Sequence, residues 1–90
     1  MAERLTDLPN VGATCAARLQ SAGITTPEEL AAAGSVNAAL RIRAVEGDEG
    51  PCRSLLAGLE GAIRGIRWHD IPKADRDRLW REYRRQAEEG

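Results

Sequence analysis

The groups in this chain best placed to do chemistry are backbone amides rather than side chains. In Leu8-Pro9-Asn10-Val11-Gly12-Ala13-Thr14, a turn built on Pro9 and Gly12 opens onto an alanine-rich stretch with helical spacing. The first amides of such a helix have no partner inside it, and with the positive end of the helix dipole they suit an anion such as phosphate. Val11, Gly12, Ala13 and Thr14 form the predicted contact set, and Arg18 is the nearest basic side chain within the helix. A grip of this kind holds a nucleic-acid backbone in position without reading its bases. DNA-binding turns of this type commonly place glycine where Asn10 stands and a basic residue close to Thr14. With few Lys or Arg contacts the counterion-release contribution to affinity is small.

Side-chain chemistry is sparse. His69 is the only histidine and stands beside Trp68 in a turn with no nucleophile near it in sequence, so a structural hydrogen bond is its expected role. Asp70 is expected to brace the turn before the last helix. Cys15 and Cys52 lack the spacing of a metal or redox pair and sit within helical patterns, which assigns both to packing. Thr14 has no base in view to activate it. No catalytic residue, cofactor-binding residue or metal ligand is therefore assigned, and the chain is expected not to be an enzyme.

The elements that must position the turn follow from punctuation. Glu3 to Leu8 suits a short lead-in helix that stops before Pro9, because the residue ahead of a proline avoids the helical region. Ala13 to Ala22 carries Ala16, Leu19 and Ala22 on one stripe and meets Gly23 where a left-handed cap belongs. Together these segments outline a helix-hairpin-helix. Thr26, Pro27 and Glu29 make a capping box with proline in the first turn, so a second helix starts there and ends at Gly34. Ser35 is expected to cap a third helix through Val36, Ala39, Leu40 and Arg43 to about Ala44. Residues 46–50, with two glycines and no apolar anchor, predict a mobile surface loop. Pro51 then opens the most apolar helix, expected to be the central one, with Leu55, Leu56, Leu59, Ile63 and Ile66 on one broad face. Gly58, Gly61 and Gly65 inside it imply a closely packed neighbour. A last helix runs through Leu79, Trp80 and Tyr83 and frays from about residue 86.

Composition bounds the whole. Ninety residues make one small domain, and an aromatic content of 3 % with no Phe leaves a core of Leu, Ile, Val and Ala, which favours packed helices over a sheet. The expected fold is all-α, a single compact domain of about five helices. No apolar run approaches the ~20 residues of a membrane span, and two cysteines without a disulfide framework suit a reducing, cytoplasmic setting. The net charge is -1, but Pro51 to Gly90 carries nine basic against seven acidic residues. Arg76, Arg78, Arg81, Arg84 and Arg85 crowd toward the end, either as a solvated face of mixed charge or as a basic patch for an acidic partner. Trp68 and Trp80 are assigned to the core. Tyr83, with Arg81, Arg84 and Arg85, is the candidate partner surface.

Two blocks carry a family resemblance. Leu8-Pro9-Asn10-Val11-Gly12 with Leu19, Ala22-Gly23-Ile24-Thr25-Thr26 and Glu29-Leu30 form the first. Leu59-Glu60-Gly61-Ala62-Ile63-Arg64-Gly65-Ile66 with Trp68, Asp70 and Pro72 form the second, more specific one. From Leu5 to Tyr83 the chain resembles the C-terminal domain of the TfoX/Sxy competence-regulator family. The resemblance implies a five-helix domain of the SAM-like class in a bacterial protein connected with DNA uptake and transcription. Full-length members carry another domain ahead of this one, and the domain is not tied to a catalytic reaction. Two functions follow as expectations: a regulatory module that contacts a protein partner, with self-association as one form, or a domain that binds DNA through the hairpin. Neither a small-molecule substrate nor a membrane is expected.

Overall fold

Proline, glycine and capping residues break the chain into five helices with no strand among the described residues, giving the expected all-α fold. The structure is a computed structural model that describes residues 4–47 and 50–89. α1 spans Ala13–Ser21, α2 Pro27–Ala33, α3 Ser35–Glu46, α4 Arg53–Arg64 and α5 Lys73–Glu89, with 3-10 turns at Leu5–Asp7 and Trp68–Asp70.

The punctuation acts locally as chemistry requires. α1 ends in a Schellman arrangement: Ile24 N–H donates to the Leu19 carbonyl at 2.9 Å, Gly23 N–H to that of Gln20 at 3.0 Å, and Gly23 takes the left-handed φ of 85° that the motif demands. At the start of α2 the Thr26 hydroxyl accepts from Glu29 N–H at 3.1 Å. The Glu29 carboxylate accepts in return from Thr26 N–H at 3.1 Å and from the amide and hydroxyl of Thr25. These bonds to the charged form hold the Glu29 carboxyl below its usual range.

Several boundaries differ from expectation. The lead-in segment is only a 3-10 turn over Leu5–Asp7, because Asp7 folds back to accept from Arg4 N–H at 3.0 Å; Glu3 lies outside the described residues. Ser35 does not cap α3, whose N-cap is Gly34. It is the first helical residue, and its buried hydroxyl donates to Glu60 of α4 at 2.7 Å. α3 runs on to Glu46, so the predicted loop is shorter than 46–50, and residues 48–49 lie outside the described part. α4 ends at Arg64, which puts Ile66 beyond it and makes Gly65 its left-handed C-cap rather than an interior residue. α5 continues as helix to Glu89, held by pairs one turn apart such as Arg84 with Glu88 at 3.0 Å.

The core has two central helices where one was expected. α3 packs against each of the other four helices, and α4 packs against α2, α3 and α5. Ala38, Ala39 and Ile42 of α3 are fully enclosed. Alanines on more than one side let neighbouring backbones come close, and they hide the central role of α3 from a search for one broad apolar stripe. Leu19, Ile24, Leu30, Ile42, Leu56 and Leu59 complete the core, with Tyr83 of α5 closing it. A polar chain runs along the edge: Glu60 also accepts from Arg64 at 2.7 Å, and Arg64 reaches Asp75 at 3.1 Å, joining α3, α4 and α5.

Candidate interaction site

Asn10 determines how the hairpin turn sits on the molecule. Its backbone takes a left-handed φ of 68°, which asparagine tolerates better than most residues. Its side-chain amide donates to the carbonyls of Ile66 at 2.9 Å and Gly58 at 3.3 Å, and its carbonyl accepts from Trp68 N–H at 3.1 Å. The turn is thus stitched to the end of α4 and the segment after it. Gly61 makes room for this: a Cβ there would stand 2.5 Å from the Asn10 amide nitrogen and 2.7 Å from the Ile66 carbonyl oxygen. The two sequence blocks that carry the family resemblance therefore meet in space as one lock. Asparagine in the place of the usual hairpin glycine signals that lock.

The predicted hairpin contacts separate. Val11 is 6 % exposed and belongs to the core, so it is removed from the contact set. Gly12 is the N-cap of α1 and offers no capping side chain; it, Ala13 and Thr14 are exposed. The first bond of α1 is Ala16 N–H to the Gly12 carbonyl at 2.9 Å, so the helix itself supplies no acceptor to the amides of Ala13 and Thr14. Arg18 is held by Glu46, its Nε and Nη2 donating at 2.7 and 2.6 Å. That pairing raises the guanidinium further and lowers the carboxyl below its usual range. The only cation within α1 is thereby neutralised. Beside it an open groove of about 470 Å³ runs between Ala13, Thr14 and Ala17 of α1 and Val45 of α3, and Val45 is 57 % exposed.

The predicted C-terminal surface divides as well. Tyr83 is 4 % exposed, so it is a core residue and not an interface anchor, and burial pushes its hydroxyl above the usual value. It stacks on Trp80 with ring centres 5.3 Å apart, while Trp80 packs half-buried against the core as expected. Arg84 lies 6.0 Å from the centre of the Trp80 ring and pairs with Glu88, and Arg85 is bracketed by Glu82 and Glu89. Arg81 is exposed near Asp77. These arginines are balanced one turn away and make a mixed-charge face rather than a basic patch. Trp68, expected in the core, is instead 39 % exposed, because a 3-10 turn stopped by Pro72 is too short to carry an indole into the core. Arg76 lies over its ring at 5.8 Å and His69 meets it edge-on at 5.6 Å. His69 and Asp70 are both exposed.

Cys15 is half-buried, with burial raising its thiol, in line with packing. Cys52 is the exposed N-cap of α4, so packing does not describe it: its place just before the helix, after buried Pro51, turns it outward. Among the described residues no group of three or more His, Cys, Asp or Glu side chains comes together as a metal site would need. No described helix is long and apolar enough to cross a membrane.

This architecture, an all-α domain whose hairpin is locked onto the Gly61 to Trp68 segment, defines a class that the comparisons identify. The profile of the TfoX C-terminal domain matches residues 1–83, and the chain belongs to that family. Two crystal structures from Listeria monocytogenes are similar to it. One is of an uncharacterised protein in a triclinic form, with a TM-score of 0.81 and 44 % identity, over 97 % of this chain and 94 % of that one. The other, of a protein of unknown function in a tetragonal form, has a TM-score of 0.78 and 41 % identity, over 91 % of this chain and 98 % of that one. No curated protein matches the chain.

Proposed function

We propose that this chain is a non-enzymatic regulatory module that works through protein–protein contacts, in the competence or transcription regulation with which its family is associated. One observation carries the reading. Where a phosphate-gripping hairpin needs a free cation, Arg18 is closed onto Glu46, and the exposed surface beside it is apolar, led by Val45. An apolar groove rimmed by a neutral ion pair suits a side chain of a partner protein better than a polyanion. The shallow, open shape of this surface favours binding over catalysis.

A second reading keeps support from a different observation. The uncapped start of α1 leaves exposed amides at Ala13 and Thr14, and Gly12 has open space around it, so a phosphate of DNA can approach there. One pair of experiments separates the two. A photo-crosslinking residue in place of Val45 should give a discrete protein adduct in the producing cell, and the partner so identified should bind the purified wild-type chain but not Val45→Asp. Labelled double-stranded DNA should show no anisotropy change at micromolar protein. DNA binding that weakens steeply with salt and disappears in Gly12→Leu, a change that meets no neighbouring atom at its Cβ, overturns the protein reading in favour of the hairpin.

A further inference from the structure

Away from the hairpin, Arg53 and Ser54 in the first turn of α4, Ala57, Trp68 and Arg76 enclose a pocket of about 250 Å³. Ala57 is buried, Ser54 is exposed, and Trp68 offers its indole at the rim. Arg76 is the guanidinium of this pocket that is held in place without a carboxylate. It is half-buried, its Nε donates to the Ile71 carbonyl at 3.1 Å, and its guanidinium lies 5.8 Å from the centre of the Trp68 ring. Arg53, the other guanidinium of the pocket, is paired with Asp77, whereas Arg76 has no carboxylate partner among the described residues. A guanidinium held by one hydrogen bond and lying near an aromatic ring has less conformational freedom to lose when a ligand arrives, and its remaining N–H groups suit a carboxylate held in two-point contact.

The size and charge of the pocket narrow the occupant. It is smaller than the roughly 300–1,000 Å³ of typical small-ligand sites, and it offers one unpaired cation beside an apolar wall. Asp77 stands close by, paired with Arg53 and with Lys73, and its negative charge opposes a run of phosphates more than a single carboxylate. We propose that this pocket receives an acidic side chain of a protein partner, with an adjacent apolar residue of that partner lying on Trp68. This assignment rests on the protein-contact reading above and gives that contact a second, chemically defined point. The family lock supports it structurally, since the Asn10 carbonyl accepts from Trp68 N–H and so fixes the backbone from which the indole projects.

The test uses the purified full chain and three labelled probes: a short peptide alternating glutamate with leucine, the same peptide with glutamine for glutamate, and a single-stranded oligothymidine. The glutamate peptide should bind, shift the Trp68 indole N–H resonance and leave that of Trp80 in place. The glutamine version should bind at least about tenfold more weakly. Arg76→Gln should cost about tenfold or more, and so should Ser54→Glu, which adds a carboxylate at an exposed position without removing a hydrogen bond. Equal binding of both peptides, no effect of Ser54→Glu, no binding of the glutamate peptide, or a preference for the oligothymidine each overturns the assignment. If the glutamate peptide fails while the Val45-dependent adduct persists, the pocket falls and the protein-contact reading stands; if that adduct fails too, both fall.

Discussion

Asn10 and Gly61 bear more on this fold than their exposure or size suggests. Replacing Asn10 by glycine keeps the left-handed backbone but removes the three side-chain hydrogen bonds to Gly58, Ile66 and Trp68. A loss of about 2–4 kcal/mol is expected by urea unfolding. Asn10→Ala should cost about 1 kcal/mol more, because its Cβ disfavours a φ of 68°. A glycine variant as stable as the wild type would mean that the lock contributes nothing. Two neighbouring glycines give a contrast of opposite sign. Gly61→Ala should destabilise by about 1–3 kcal/mol, because its Cβ meets the Ile66 carbonyl and the Asn10 amide, and neither can move without breaking the lock. At Gly58 the same change finds only Asn10 Cβ at an ordinary 3.5 Å, so it should be neutral or stabilising by up to about 1 kcal/mol through helix propensity. Only the chain partner brought against each glycine distinguishes them.

At the scale of elements, local chemistry accounts for the well-placed boundaries and tertiary contacts for the displaced ones. α2 starts at Pro27 because Thr26, Glu29 and Thr25 satisfy one another within five residues of chain. Thr26→Ala should lower stability by about 1 kcal/mol, measured by thermal unfolding, and an unchanged midpoint would show that proline alone sets the start. Ser35 has the residue type of a cap yet gives its hydroxyl to Glu60, twenty-five positions on, a choice that no window of sequence contains. α5 is legible only in part. Its pairs one turn apart explain why it remains helical to Glu89, but its direction of approach decides that Tyr83 enters the core.

For the molecule as a whole, stability should depend on acid in a defined direction. Bonds from donors hold Glu29, Glu46, Asp77 and Glu82 below the ordinary carboxylate range. The unfolded chain therefore binds more protons than the folded one in the acidic region. The stability these groups contribute is complete above the unfolded carboxylate range and is lost as pH falls through their lowered folded values. The thermal midpoint should be nearly flat from neutral pH to about 5 and fall below about 4. Glu29→Gln should lower the neutral midpoint and flatten that acid limb; a limb as steep as the wild type's would remove Glu29 from the account. The near balance of charge has a second consequence at this scale, since many arginines meet a nearby carboxylate and the surface presents few free cations in any one place.

The amino-acid sequence by itself determined the all-α class, the family, the starts of α1 and α2 and part of the aliphatic core, such as Leu19, Leu56 and Leu59. Each of these depends on residue type and spacing over a few turns of chain, where capping, proline, glycine and apolar period act directly. Tertiary structure decided what those elements present. It closed Arg18 onto Glu46 across twenty-eight positions, buried Val11 and Tyr83, and turned Trp68 out beside Arg76. These outcomes depend on which helix meets which, and α3 sets that arrangement with alanines whose small size, rather than any strong amphipathic pattern, lets its neighbours approach. Asn10 joins the two levels: its type and its place in the turn are plain in the sequence, but its three partners come together only once α4 has folded beneath it.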